Sequence, residues 1–398
     1  MCYTLIWVAP QKFIIAFVPL REVEGRKLFL LSQNKNKEDN MKTQSFNEIE
    51  NLTKEYSMIP ICKEIYADVI TPIQLLRKME AFDKNFFLLE SVEGGEKWAR
   101  YSFLGYEPVF HITCKNGKVT QKSGEIEHTV TVDPMDALRQ LLHKYKSPKI
   151  EGMPTFTGGF VGYFGYEMIG YAEPKLNIKD SEFDDYNLML FDKVIVYDHL
   201  KQKIMVIANM KSKDGIQGYN TALLEIEKMI ALINDQRKLP VLEADKDVKF
   251  KCNVTKEEYC RMIEKTKHYI KEGDIFQGVI SRRFVADYKS SLINAYRVLR
   301  TTNPSPYIYF IQSDDLQIAG ASPETMVKLV DGKLTTFPVA GTRPRGVNDE
   351  QDKTLEKELL ADEKELAEHN MLVDLARNDM GRIAKYGSVY LEDYMKIH

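Results

Sequence analysis

The chain has 398 residues, 44% apolar and 28% charged, a composition that suits one large or two smaller folded domains and excludes a disordered chain. Lysine plus arginine total 55 against 58 for aspartate plus glutamate, a net charge of −3, so no overall field draws the protein to nucleic acid. The five cysteines, Cys2, Cys62, Cys114, Cys252 and Cys260, form no C-x-x-C pair, which argues against a zinc site or disulfide framework and fits a reducing, cytoplasmic compartment.

Residues 1–20, MCYTLIWVAPQKFIIAFVPL, are apolar, but Pro10, Gln11 and Lys12 break the run, which speaks against a bilayer span. Arg21 and Arg26 follow the apolar part, the reverse of a signal peptide. SQNKNKEDN then reads as a polar linker, so residues 1–40 are expected to be an extension outside the fold, with a conventional amphipathic sequence opening at Met41. From Phe86 the β-branched and aromatic runs FFLLES, FHITCK, HTVTVD, KVIVYD and KIMVIAN predict strands. The glycines of TFTGGFVGYFGYE (155–167) predict close backbone approach in a packed sheet, and the Lys-Ser/Thr ending of a phosphate loop is missing. Leu223, Ile226, Ile230 and Ile233 mark an amphipathic helix after Gly218.

RKLPVLEADKDVKF (237–250) is expected to link an N-terminal domain, 41–236, to a second, 251–398. Thr255 and Glu258 have capping-box spacing and start a helix whose buried stripe is expected to be Tyr259, Met262, Ile263, Tyr269 and Ile270, ending at Gly273. IFQGVISRRF follows as a strand, in which Gln277 is either a hydrogen-bonded core amide or a lining group. In IAGASPETMVKL, Ser322 reads as a helix cap with Pro323 and Glu324 in the first turn; Glu324 is also a candidate proton donor if burial raises its pKa. FPVAGTRPRG (337–346) is a strand-like run that stops at a Gly-Thr step followed by two arginines. TLEKELLADEKELAEHNMLVDLARND (354–379) predicts one helix, with Glu365 and Glu368 on a single face beside His369. Two such carboxylates can hold Mg²⁺, whereas charge patterning alone favours a solvated Glu/Lys face. Long antiparallel-looking strands and separated helices make the fold class α+β.

LLES (88–91), GEKWARYSFLG (95–105), GGFVGYFGYE (158–167), GDIFQGVISRRF (273–284), NPSPYIYF (303–310), GASPE (320–324), PVAGTRPRG (338–346) and DEKELAEHNMLVDLARND (362–379), in this order, resemble the chorismate-utilising enzymes, most closely the large component of anthranilate synthases. The resemblance implies large mixed or antiparallel sheets packed as a sandwich-like core with surrounding helices. It implies a Mg²⁺-dependent reaction in which ammonia adds to chorismate, the carbon-4 hydroxyl leaves and pyruvate is eliminated. Carried over by motif, Glu368 is a metal ligand with Glu365 in the same acidic cluster, Gly341 and Thr342 contact substrate, and Glu324 protonates the departing hydroxyl. Water-adding relatives place a lysine where this chain has Gln277, and aminodeoxychorismate synthases commonly carry a nucleophilic lysine where it has Ala340; both residues here favour ammonia and anthranilate.

LLES with NPSPYIYF is similar to the family's tryptophan-binding pair, which implicates Ser91, Pro306, Tyr307 and Ile308 in feedback inhibition. With no glutaminase segment recognisable, the expected partner is a separate glutamine amidotransferase subunit (component II), and neither nucleic acid nor membrane is expected. The resemblance further implies that the family pattern continues past LEDYMKIH with a catalytic histidine, a second metal carboxylate and carboxylate-clamping residues. A fold incomplete at the C-terminus, with little or no activity by itself, is therefore expected. The competing readings are a non-catalytic tryptophan-binding fragment and an aminodeoxychorismate synthase component. Arg343 and Arg345 read as local structure or partner contacts.

Overall fold

The computed structural model describes residues 4–7, 13–19, 43–91, 100–242, 245 and 247–397. In chain order the elements before residue 237 are β1 (Thr4–Trp7), β2 (Phe13–Pro19), α1 (Phe46–Ile49), β3 (Met58–Tyr66), α2 (Pro72–Glu80), β4 (Asn85–Glu90), β5 (Tyr101–Tyr106), β6 (Phe110–Lys115), β7 (Lys118–Ser123), β8 (Ile126–Thr131), α3 (Pro134–Lys144), β9 (Gly159–Gly165), α4 (Ile169–Ala172), β10 (Tyr186–Phe191), β11 (Lys193–Asp198), β12 (Lys203–Lys211) and α5 (Gly215–Asn234). After residue 250 come β13 (Lys251–Cys252), α6 (Lys256–Glu272), β14 (Phe284–Val285), α7 (Ile293–Thr302), β15 (Tyr307–Ser313), β16 (Leu316–Ser322), β17 (Thr325–Val330), β18 (Lys333–Thr335), α8 (Asp349–Ala361) and α9 (Glu363–Gly381).

Two antiparallel sheets carry the fold. One has nine strands in the order β18-β17-β1-β2-β9-β10-β6-β7-β8; the other has seven, β16-β15-β4-β5-β11-β12-β3. Their facing surfaces enclose an apolar layer of Phe87, Phe156, Val161, Phe191, Ile207 and Tyr309. The outer face of the seven-stranded sheet buries Ile226, Met229 and Ile233 of α5, Leu75 and Met79 of α2 and Tyr296 of α7. The outer face of the nine-stranded sheet packs on Leu138 of α3. The expected α+β sandwich with surrounding helices is thus the observed architecture, because alternating strand residues feed two different apolar layers.

Strands from both sides of residues 237–250 enter both sheets: β15 pairs with β4, and β17 with β1. The two expected domains therefore share their sheets. The expectation that residues 1–40 lie outside the fold also needs correction at two places, since β2 pairs with β9 over Phe13–Pro19 and β1 bridges β2 and β17. Sheet edges leave unpaired amides and carbonyls, and a β-branched run such as FIIAFV is suited to cap them.

Four local expectations change. The segment after Gly273 is strand only at β14, not over IFQGVISRRF. The Thr255–Glu258 capping box is present, but no residue of α6 is buried, and Tyr269 and Ile270 face solvent. Ser322–Pro323–Glu324 is a strand-to-strand passage, not a helix start. Residues 354–379 form parts of two helices that break at Asp362 (φ −78, ψ 106), whose side chain accepts from the amides of Lys364 and Glu365. An N-cap competes with helix continuation wherever an Asp can satisfy the free amides of a new first turn.

The glycine-aromatic stretch does provide close approach. A Cβ on Gly162 would lie 2.0 Å from the Asn187 carbonyl oxygen of β10. Gly162→Ala is therefore expected to destabilise the protein by more than about 3 kcal/mol in chemical denaturation, because backbone must move. Gly124→Ala, at a turn with positive φ (+58) but open space, should cost only about 1 kcal/mol.

Candidate active site

β16 belongs to one sheet and β17 to the other, so the chain changes sheets across Ser322, Pro323 and Glu324. Proline suits this step because it fixes φ without an amide to satisfy. The Ser322 hydroxyl accepts from the Glu324 amide at 3.4 Å, the same short-range bond that a helix cap would make. Glu324 is left half-buried at the seam. Burial pushes its carboxyl above the ordinary glutamate value, and the Val339 amide that donates to it offsets only part of that rise.

Val339 lies in the extended segment that leads to Ala340, Gly341 and Thr342. That segment runs beside the same passage, with the Phe337 amide donating to the Thr325 carbonyl at 3.4 Å and Thr336 Oγ1 donating to the Met326 carbonyl at 2.8 Å. The strand-like run is extended but has no strand pairing beyond β18. At Gly341 the chain turns with φ +72, and a Cβ there would stand 3.2 Å from Glu365 Oε2 and 3.0 Å from Leu359 Cδ1. The left-handed backbone and the close side chains both favour glycine there. One short segment thus bonds Glu324 at Val339 and passes close to Glu365 at Gly341. Thr342 is exposed beside it.

Glu365 and Glu368 follow one another on α9, both half-buried, with Glu365 Oε1 paired to Lys364 at 3.2 Å. The Nε2 atom of His369 is buried without a hydrogen-bond partner. Among the described residues no group of three or more His, Cys, Asp or Glu side chains forms an all-protein metal cage. Two carboxylates beside a glycine turn fit a hard cation that takes its other oxygens from water and substrate.

The LLES and NPSPYIYF motifs are neighbours. In the antiparallel register Ile308 faces Glu90 on one side and Ala321 on the other, and Tyr307 faces Ser322. Ser91, Pro306 and Tyr307 are half-buried and Ile308 is buried. The Tyr307 hydroxyl shares a hydrogen bond with Thr325 Oγ1, next to Glu324 in sequence. Sequence reasoning missed Glu90. Its buried carboxylate accepts from Tyr296 Oη at 2.8 Å, Arg300 Nη2 at 2.9 Å and Ser102 Oγ at 3.3 Å, anchoring β4 to α7 and β5. A charge ending the apolar run FFLLE, with Tyr296 and Arg300 four apart on a helix, was the available signal.

Gln277 is exposed between α6 and β14 and has no hydrogen bond to Glu324, Gly341 or the acidic pair. The extended chain from Val339 to Gly341 runs from Glu324 to the neighbourhood of Glu365, with Glu368 one turn further along α9.

A sequence profile described as chorismate binding enzyme matches residues 84–398. The anthranilate synthase component 1 of Acetivibrio thermocellus is 41% identical over 364 residues, covering 89% of this chain and 74% of the relative. That of Aquifex aeolicus is 40% identical, covering 89% and 73%. The crystal structure of anthranilate synthase component I from Streptococcus pneumoniae superposes with a TM-score of 0.67 at 33% identity, covering 84% of this chain and 72% of that one. Among the described residues no helix is long and apolar enough to cross a membrane. The passage between sheets, the Gly-Thr turn and the acidic helix therefore sit in a chain that belongs to the chorismate-binding enzyme family, among the anthranilate synthase component 1 proteins.

Proposed function

We propose that the chain binds chorismate against the Gly341–Thr342 turn and serves anthranilate formation from chorismate and ammonia, with pyruvate as co-product. The observation that carries the reading is the closeness of Gly341 to Glu365, where a Cβ at 341 would stand 3.2 Å from Oε2, so that a backbone turn lies beside the first of the two carboxylates. Glu365 and Glu368 would hold Mg²⁺, which when bound supplies Lewis-acid neutralisation of substrate carboxylate charge. Glu324, whose carboxyl burial pushes above the ordinary glutamate value, would donate its proton to the carbon-4 hydroxyl as that group leaves. Ala340 offers no nucleophile, so nitrogen arrives as free ammonia, from a separate glutamine amidotransferase subunit. Tryptophan as inhibitor would occupy the end of the β4–β15 pair at Ser91, Pro306, Tyr307 and Ile308, one strand away from the passage that carries Glu324. The adjacency supports coupling, since a ligand that shifts β15 acts on its hydrogen-bonded neighbour β16.

Calorimetry with the full chain should show chorismate binding that strengthens with Mg²⁺. Glu365→Gln and Glu368→Gln should each weaken that Mg²⁺-dependent binding by at least about tenfold; binding indifferent to Mg²⁺ would remove the metal role. Any product formed from chorismate and ammonium should be anthranilate, identified by its fluorescence, and para-aminobenzoate chemistry would contradict the Ala340 argument.

The raised pKa of Glu324 has a defined sign. The stability it contributes is complete below the unfolded glutamate value of about 4.3 and is lost as pH rises through the higher folded value. Glu324→Gln should therefore leave denaturation midpoints unchanged at low pH and raise them above the folded pKa. An equal shift at all pH values would exclude a desolvated carboxyl. Ser91→Phe should abolish calorimetric tryptophan binding, and undiminished binding would place the inhibitor elsewhere.

A further inference from the structure

We propose that Arg343 is a positioning residue that fixes the Gly341–Thr342 turn against the helix bearing Glu365 and Glu368, an inference that rests on reading those residues as substrate floor and metal carboxylates. Arg343 Nη2 donates to Asp362 Oδ2 at 2.9 Å, and Nε to Glu358 Oε1 at 3.3 Å. Its Nη1 donates to the Thr342 carbonyl at 3.1 Å, so the same guanidinium also braces the turn from within. Asp362 divides its two oxygens between two tasks. Oδ1 accepts from the Lys364 and Glu365 amides at 3.1 and 3.2 Å and so begins α9, while Oδ2 receives Arg343. Glu358 lies on α8, so the guanidinium spans the end of one helix and the start of the next.

The consequence is a short rigid path from floor to metal helix. Thr342, Arg343, Asp362 and Glu365 are joined by successive hydrogen bonds, and Gly341 closes the circuit by lying so near Glu365 that a Cβ at 341 would stand 3.2 Å from Oε2. A planar, forked cation is suited to this because it holds several acceptors at fixed angles, which a lysine ammonium does not. The neighbouring Arg345 is different: its side chain is 90% exposed and pairs only with Asp352, within its own loop and the following helix. Arg343 is 22% exposed.

Ion pairs with partners this accessible add little to folding stability. Displacement of a floor by a fraction of an ångström matters far more to a bound substrate. A positioning role and a merely structural one therefore part in measurement. In the full chain, Arg343→Gln should weaken Mg²⁺-dependent chorismate binding by about tenfold while the melting temperature moves by no more than about 3 °C. Arg343→Lys should recover part of the affinity. Asp362→Asn, which can still cap α9, should reproduce the loss, and the double variant should be no worse than either single one. Chorismate and Mg²⁺ affinities unchanged in Arg343→Gln, or losses that add in the double variant, would overturn the proposal. If Arg343→Gln melts far lower, Asp362→Asn decides the matter by the same criteria. Wild-type protein without any Mg²⁺-dependent chorismate binding would overturn the functional reading and this inference with it, whereas normal wild-type binding with unaffected variants defeats the inference alone.

Discussion

The site depends on one constraint, the transfer of the chain from the seven-stranded to the nine-stranded sheet between Ser322 and Thr325. Two sheets packed face to face must be stitched by segments that leave one layer and join the other, and such a segment has half of its surroundings made of protein. A carboxylate placed there is desolvated without being sealed in. That is the physical origin of the raised Glu324 pKa, and it requires no neighbouring charge. The segment 336–341 then lies along the passage because Thr325 and Met326 still have carbonyls to offer.

From that seam the rest of the site follows by short links. Val339 touches Glu324, and two residues later Gly341 turns back on Glu365. The acidic pair owes its place to the break at Asp362, which ends α8 and restarts the chain as α9 with Glu365 in its first turn. On the other side of the passage, β15 and β4 carry the proposed inhibitor residues in register with β16. Glu90 ties β4 to α7 and β5 through three donors, so its buried carboxyl group is hydrogen-bonded.

Strands were legible wherever both faces meet apolar layers, as in KVIVYD and KIMVIAN, since those runs leave no other reading. IFQGVISRRF looked equally strand-like, yet only Phe284 and Val285 pair, with β13, and Phe276 is 90% exposed. A strand is a property of two chains in register, and composition reports only one of them. The same limit hid the fate of residues 4–7 and 13–19, whose partners lie far along the chain. Ser-Pro-Glu was misread because Ser322 makes the same hydroxyl-to-amide bond whether a helix or a second strand follows. The Asp362 break had a readable sign, the Asp-x-x-Glu spacing to Glu365, masked by good helix formers on both sides.

By itself the sequence determined the family, the α+β class, the Gly-Thr step at 341–342 and the carboxylates worth watching, because motif order, strand composition and residue chemistry are local properties. Only the tertiary structure decided that Glu324 stands at a seam between sheets, that Gly341 lies close to Glu365 and that Arg343 joins the turn to the acidic helix. Those are relations between segments separated along the chain, and they are set by how two packed sheets bring their edges and crossings together.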